Sequence, residues 1–484
     1  MQKIHSILWV IFLVVVAIVL SVLLSVLLSK KSPKQKRAVC ASGGGIRAAL
    51  FTTAFLAELN QREGTLDGIS MFTGVSGGSW SLALILNSPM DFSKALPSIS
   101  VDNLQADAIA FSGPELFINM YNNFDYNRTG GDSIQKKRAF LQNMLALGGV
   151  TDCTKISEKY HSVLCATAWA NLLSLNPDDG ATPVEISSVT VGHPWTTPGR
   201  LTCTTDCDSA FQVGPGSLAY LDYMFQYLSE TGETLYSIDS SSIRDAALIS
   251  GDPLALTFGA IENANNRTQF RFGDGAGLAN LNPAAAIREG CTEIALLVNQ
   301  NSPYDFDMIS AFLADYPTST DLDPSNADQT TKLYAAFGND WTVVSLFGFA
   351  GEPTAGVDHT KCAMFTLTSF VAVLQELVAK KTSVIYVPLE TRANDVFGVP
   401  GGRRINALIH ANQSDPNFTS AWVKAELPLD LEAVSFPNFD PVIDIPFHTT
   451  DSNSSLWLLP LAVAALVNYE FKSNSAIAEF VLQN

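Results

Sequence analysis

The sequence predicts an α/β fold, a central and mostly parallel sheet flanked by helices. Three observations predict it. The segment 38–87 alternates a short apolar run, a glycine loop, a helical pattern, a second apolar run, a tight turn and another helical pattern. That is the rhythm of βαβ units. Apolar strand-like runs return far downstream at 255–262, 291–300 and 382–390. The chain has 484 residues, 47% of them hydrophobic and 16% charged, enough to bury a large core.

The first apolar run, 7–28, reads "ILWVIFLVVVAIVLSVLLSVLL" without a charge. At ~1.5 Å per residue it spans about 33 Å, enough to cross a bilayer. It lacks the small-residue cleavage pattern of a signal peptide, so 1–29 is expected to be a retained transmembrane anchor. Residues 30–37, "KKSPKQKR", form a basic linker that reaches at most about 28 Å. Lys30, Lys31, Lys34, Lys36 and Arg37 follow the run and only Lys3 precedes it, which favours a cytoplasmic body. The N-x-S/T sequons at Asn127, Asn266, Asn412, Asn417 and Asn453 point the other way, weakly.

The body, 38–484, opens with "AVCAS", read as a buried strand. Residues 46–62 carry Ile46, Leu50, Phe55, Leu56 and Leu59 at helical spacing. Residues 68–75 read as a strand and 79–87 as a helix. From about 88 to 245 the rhythm breaks among Asn, Asp, Ser and Gly, and this stretch is expected to be a cap or insertion. It holds a short helical patch at 136–147. The apolar stretch 455–471 is broken by Pro460 and is too short to span a membrane, so it reads as a core helix.

The formal charge of −18 excludes a nucleic-acid binder, which needs a basic surface. Seven scattered cysteines are not a disulfide framework. Cys203 and Cys207 lie close together, but no second pair completes a zinc site, and no metal is expected.

Two glycine motifs carry chemistry. "SGGGIRAA" (42–49) opens a helix with three glycines, so bare N–H groups can converge on a phosphate or an oxyanion. It is not a Walker loop. "GVSGG" (74–78) fits G-x-S-x-G between a strand and a helix, the turn on which a nucleophilic serine sits, and Gly77 could lend an N–H. Ser76 needs a base. His359 and His448, each beside an aspartate, would serve a Ser-His-Asp triad. Asp274, between glycines after an apolar strand in "FRFGDGAGLANLNP" (270–283), could take the proton directly.

The order SGGG-x-R, G-x-S-G-G, D-G resembles the catalytic domain of cytosolic phospholipase A2 and the fungal lysophospholipases (phospholipase B), within the patatin-like group. The resemblance covers 38–92 and 270–283 most closely. It implies a Ser76–Asp274 dyad without histidine. It also implies oxyanion donors at Gly44 and Gly45 with Gly43 as neighbour, and contact of Arg47 with the substrate phosphate. The implied activity is hydrolysis of fatty-acyl esters of phospholipids or lysophospholipids through an acyl-serine, with no cofactor. A general esterase with a histidine triad and an inactive lipid-binding scaffold are the competing expectations.

Overall fold

The computed structural model describes residues 36–63, 68–87, 280–288, 290–349, 363–394, 399–439 and 458–482. Between 162 and 274 it describes the backbone of the strands, and residues 104 and 146 are described singly. The chain divides into two units, Met1–Lys36 and Arg37–Asn484. The apolar run 7–28 and the patch 136–147, save residue 146, lie outside the described residues. Among those that are described, no helix is long and apolar enough to cross a membrane.

The strands are β1 (Arg37–Ala41), β2 (Ile69–Val75), β3 (Ser162–Trp169), β4 (Val184–Ser187), β5 (Val189–Thr190), β6 (Thr202–Thr204) and β7 (Gln212–Val213). They continue with β8 (Leu218–Tyr223), β9 (Tyr236–Ile238), β10 (Thr257–Asn263), β11 (Asn266–Asp274), β12 (Glu293–Val298), β13 (Val384–Glu390) and β14 (Arg404–Ala411). The helices are α1 (Gly45–Glu63), α2 (Gly77–Asn87), α3 (Ala284–Arg288), α4 (Phe306–Asp315), α5 (Ala327–Ala336), α6 (Leu367–Lys380), α7 (Pro416–Lys424), α8 (Leu459–Ser473) and α9 (Ser475–Leu482).

β14, β12, β1, β2 and β3 form a parallel centre. Antiparallel pairing extends it, with β13 beyond β14 and with β8, β11, β10 and β9 beyond β3. The main sheet has 11 strands, and β6, β4 and β7 form a separate three-stranded sheet. Residues alternate between two cores, as period-2 side-chain geometry requires. Val39, Phe72, Leu297 and Leu408 join the core under α1, α2, α7, α8 and α9. Ala38, Cys40, Met71, Leu296 and Ile409 join the core under α3, α4, α5 and α6. Because both faces are covered, the central strands read as continuous apolar runs.

α1 is buried almost all round because it lies between the sheet, α2 and α8. Thr53 returns its hydroxyl to the Ala49 carbonyl (2.7 Å), and Ser81 of α2 donates to the same carbonyl (2.6 Å). Asn468 of α8 donates to the buried Glu58 of α1 at 2.8 Å. α8 is the core helix expected at 455–471; Leu459, Leu461, Leu466 and Phe471 are buried.

Two boundaries differ from expectation. Arg37 is the buried first residue of β1, not linker; its guanidinium donates to the Phe480 carbonyl (2.8 Å) and lies over that ring (4.4 Å). The stretch 88–245 is not wholly an insertion: it supplies β3, beside β2, as well as β5, β8 and β9. The polar composition around "SVLCATAW" masks a strand that is itself apolar.

Candidate active site

Ser76 occupies the one-residue turn between β2 and α2 and has a φ of 49°. A non-glycine residue in left-handed conformation there is costly and persists only where the surroundings impose it. The flanking glycines let the neighbouring elements close on the turn. A Cβ on Gly74 would lie 2.7 Å from Leu82 Cδ1, and one on Gly78 2.7 Å from the Ser42 carbonyl oxygen. The serine is 6% exposed.

The glycine loop follows β1, the strand beside β2. Gly44 and Gly45 have φ values of 131° and 61°. The loop meets the serine turn directly: a Cβ on Gly77 would fall 1.9 Å from the Gly45 carbonyl oxygen. No side chain fits between them. The N–H groups of Gly44, Gly45 and Gly77 have no acceptor among the described residues. They sit at the starts of α1 and α2, where helices leave N–H groups unpaired and the dipole is positive. Gly43 differs. Its N–H donates to the Asn280 carbonyl at 3.0 Å and so braces the loop.

Asp274 is the last residue of β11 and pairs with Ala166 of β3. Val75 pairs with the preceding residue, Cys165. β8 pairs with both, through Asp222 and Leu221, and so fills the other edge of β3. β2 and β11 therefore share one edge and meet end to end. Their terminal partners are about 3.3 Å apart along the strand. The chain after Asp274 then anchors to both motifs. Asn280 accepts from Gly43, and the Asn282 carbonyl accepts from Thr73 Oγ1 of β2 at 2.7 Å.

Histidine does not reach this turn from the described residues. His410 alone is among them; it is fully buried on β14, bonded to Glu470 Oε2 at 2.8 Å and packed edge-on against Phe51 and Phe55. The register His410–Leu297–Ala41–Gly74 separates it from the serine turn by three strand spacings, about 14 Å. His359, His448 and the cysteines at 203 and 207 lie outside the residues with described side chains. Cys40 neighbours the site, but burial pushes its thiol up to about 12, which leaves it inert as a nucleophile. Among the described residues no cluster could hold a metal ion.

Arg47, the expected phosphate contact, lies in a buried network of protein oxygens. The side chain is 3% exposed and its guanidinium is engaged by protein oxygens. Nε donates to Asn299 Oδ1 (3.0 Å), Nη1 to the carbonyls of Asn438 (2.9 Å) and Phe439 (2.7 Å), and Nη2 to Asn301 Oδ1 (2.6 Å). Asp340 lies in the same buried region. Burial raises its carboxyl above the ordinary range, while Thr342 and the Arg47 charge oppose that.

The amide network around Arg47 escapes motif reading. Asn299 follows β12 and Asn412 follows β14, each opening an Asn-Gln pair at the carboxyl end of a parallel strand. That repeated dipeptide, at the edge where open α/β sheets build their sites, is the signal that could have found them.

No known protein-family profile matches the chain, and no curated protein matches it. Among solved structures it is similar to human GIVD cytosolic phospholipase A2, at 12% identity and a TM-score of 0.34. The match covers 93% of this chain and 61% of that one, so this chain spans about three fifths of that protein's length. At that TM-score the likeness carries no weight for the site, which rests on the residues described above.

Proposed function

We propose that the protein is a serine acyl hydrolase that cleaves fatty-acyl esters of phospholipids or lysophospholipids. The observation that carries this reading is the left-handed Ser76 held against a glycine loop whose Gly44 and Gly45 N–H groups have no acceptor among the described residues. Ser76 Oγ attacks the ester carbonyl and gives its proton to Asp274. The N–H groups of Gly44, Gly45 and Gly77 receive the oxyanion as the tetrahedral intermediate forms. The carbonyl re-forms, the lysophospholipid or other alcohol departs with the proton, and an acyl-serine remains. Water then attacks the acyl-serine, Asp274 accepting its proton, and the fatty acid leaves as Ser76 is reprotonated.

The lipid substrate class is supported by the sequence motifs in their order and by the apolar run 7–28. That run serves as a single-pass anchor and holds the body at a bilayer, on the cytoplasmic side by its flanking charges. The test is fatty-acid release from phosphatidylcholine and lysophosphatidylcholine vesicles by the full chain and by Ser76→Ala. Loss of release in the variant is expected; equal release would exclude the reading.

A further inference from the structure

Asn299 binds the glycine loop from the side of β12. Its Nδ2 lies 3.4 Å from the Gly43 carbonyl oxygen and 3.5 Å from that of Gly44. The amide lies so close to Gly44 that a Cβ there would fall 1.8 Å from Nδ2. Its own N–H donates to Ser42 Oγ at 2.8 Å. Its Oδ1 accepts from Arg47 Nε (3.0 Å) and from Asn412 Nδ2 (3.3 Å). Every polar group of Asn299's side chain is thus engaged, and the side chain is buried.

The consequence follows from peptide planarity. In a trans peptide the C=O and the next residue's N–H point in opposite directions. Asn299 gathers the carbonyls of Gly43 and Gly44. The N–H groups of Gly44 and Gly45 are therefore turned away from it. Glycines with positive φ have no side chain to keep these planes from flipping. Ser42 Oγ donates to the Gly43 carbonyl (3.2 Å) and the Ala48 N–H to that of Gly44 (3.4 Å); Asn299 grips both from outside the loop, and Arg47 with Asn412 fixes this clamp.

We propose that Asn299 is the positioning residue of the oxyanion hole, held in register by Arg47; this rests on the hydrolase reading above. Asn299→Asp is the discriminating variant. It keeps an acceptor for Arg47 and Asn412 but sets an oxygen against the two glycine carbonyls. Asn299→Ala removes the clamp altogether. Each variant of the full chain is assayed on p-nitrophenyl butyrate and with an alkyl trifluoromethyl ketone, whose adduct with serine places an oxyanion in the hole.

The expected result is a kcat lowered at least about tenfold, since a single lost oxyanion donor costs about 10²–10³. KM stays within about twofold, and ketone affinity falls by the same factor as kcat/KM. A kcat within twofold of wild type overturns the proposal, as does ketone affinity unchanged while kcat falls. If Asn299→Ala does not fold, Asn299→Asp decides; failure of both to fold overturns it too, since Asn299 is then a residue of the fold. A wild-type chain without ester hydrolysis defeats the hydrolase reading itself, whereas an active wild type with indifferent variants defeats only this inference.

Discussion

Val75 and Asp274 pair with consecutive residues, Cys165 and Ala166, on one edge of β3. Two strands from distant parts of the chain thus end against each other, and Ser76 leaves the sheet at their junction. The proposed dyad takes its aspartate from that junction and uses no histidine. Replacement of His359 or His448 by alanine is therefore expected to leave kcat/KM for ester hydrolysis within about twofold. A tenfold loss in either would restore a histidine triad.

The strain at Ser76 predicts a stability difference between two inactive variants. An alanine in this turn would retain the left-handed penalty, whereas a glycine would not. Ser76→Gly should therefore be more stable than Ser76→Ala by roughly 1 kcal/mol, read from denaturant midpoints at equal m. Equal midpoints would mean that the turn relaxes without the serine.

Gly77 faces the Gly45 carbonyl with no room for a methyl group. Gly77→Ala must push the two loops apart. It is expected to cost about 1–3 kcal/mol in stability and to lower kcat by tenfold or more, because two of the three N–H groups move. An active and fully stable Gly77→Ala would show that the loops do not touch in solution.

Glu470 gives a pH dependence. Burial raises its carboxyl above the ordinary 4.5, with His410 opposing. The folded state thus holds a proton that the unfolded chain has already lost above that pH. Stability from this group is present below 4.5 and declines as pH rises above it, until the folded value is passed. Glu470→Gln should flatten that decline in a series of urea melts. An unchanged slope would assign it to other groups.

β1, β2 and β12 were legible because they are buried on both faces and read as uninterrupted apolar runs. The serine turn was legible because Gly74, Ser76 and Gly78 have fixed chemical reasons to be where they are. β3 was not, since its pairing is with β2 across a long sequence gap and its flanks are polar. β14, "RINALIHA", mixes charge and amide into an apolar run and gave no clear period. Arg47 matched its motif but is satisfied by carbonyls from residues 438 and 439, a contact far from it in sequence. Asn299 acts only through where β12 ends relative to β1, which is a fact of register rather than composition.

The proposed Ser76–Asp274 dyad is tested most directly by one comparison on phosphatidylcholine vesicles. Wild type, Ser76→Ala and Asp274→Asn are assayed for fatty-acid release, and Ser76 labelling by a fluorophosphonate is followed by intact mass. Release and labelling are expected in wild type, and neither in Ser76→Ala. Asp274→Asn is expected to fold and to have both rates lowered at least about 10²-fold, in the range of lost general-base assistance. Wild-type release and labelling in Asp274→Asn would refute the dyad.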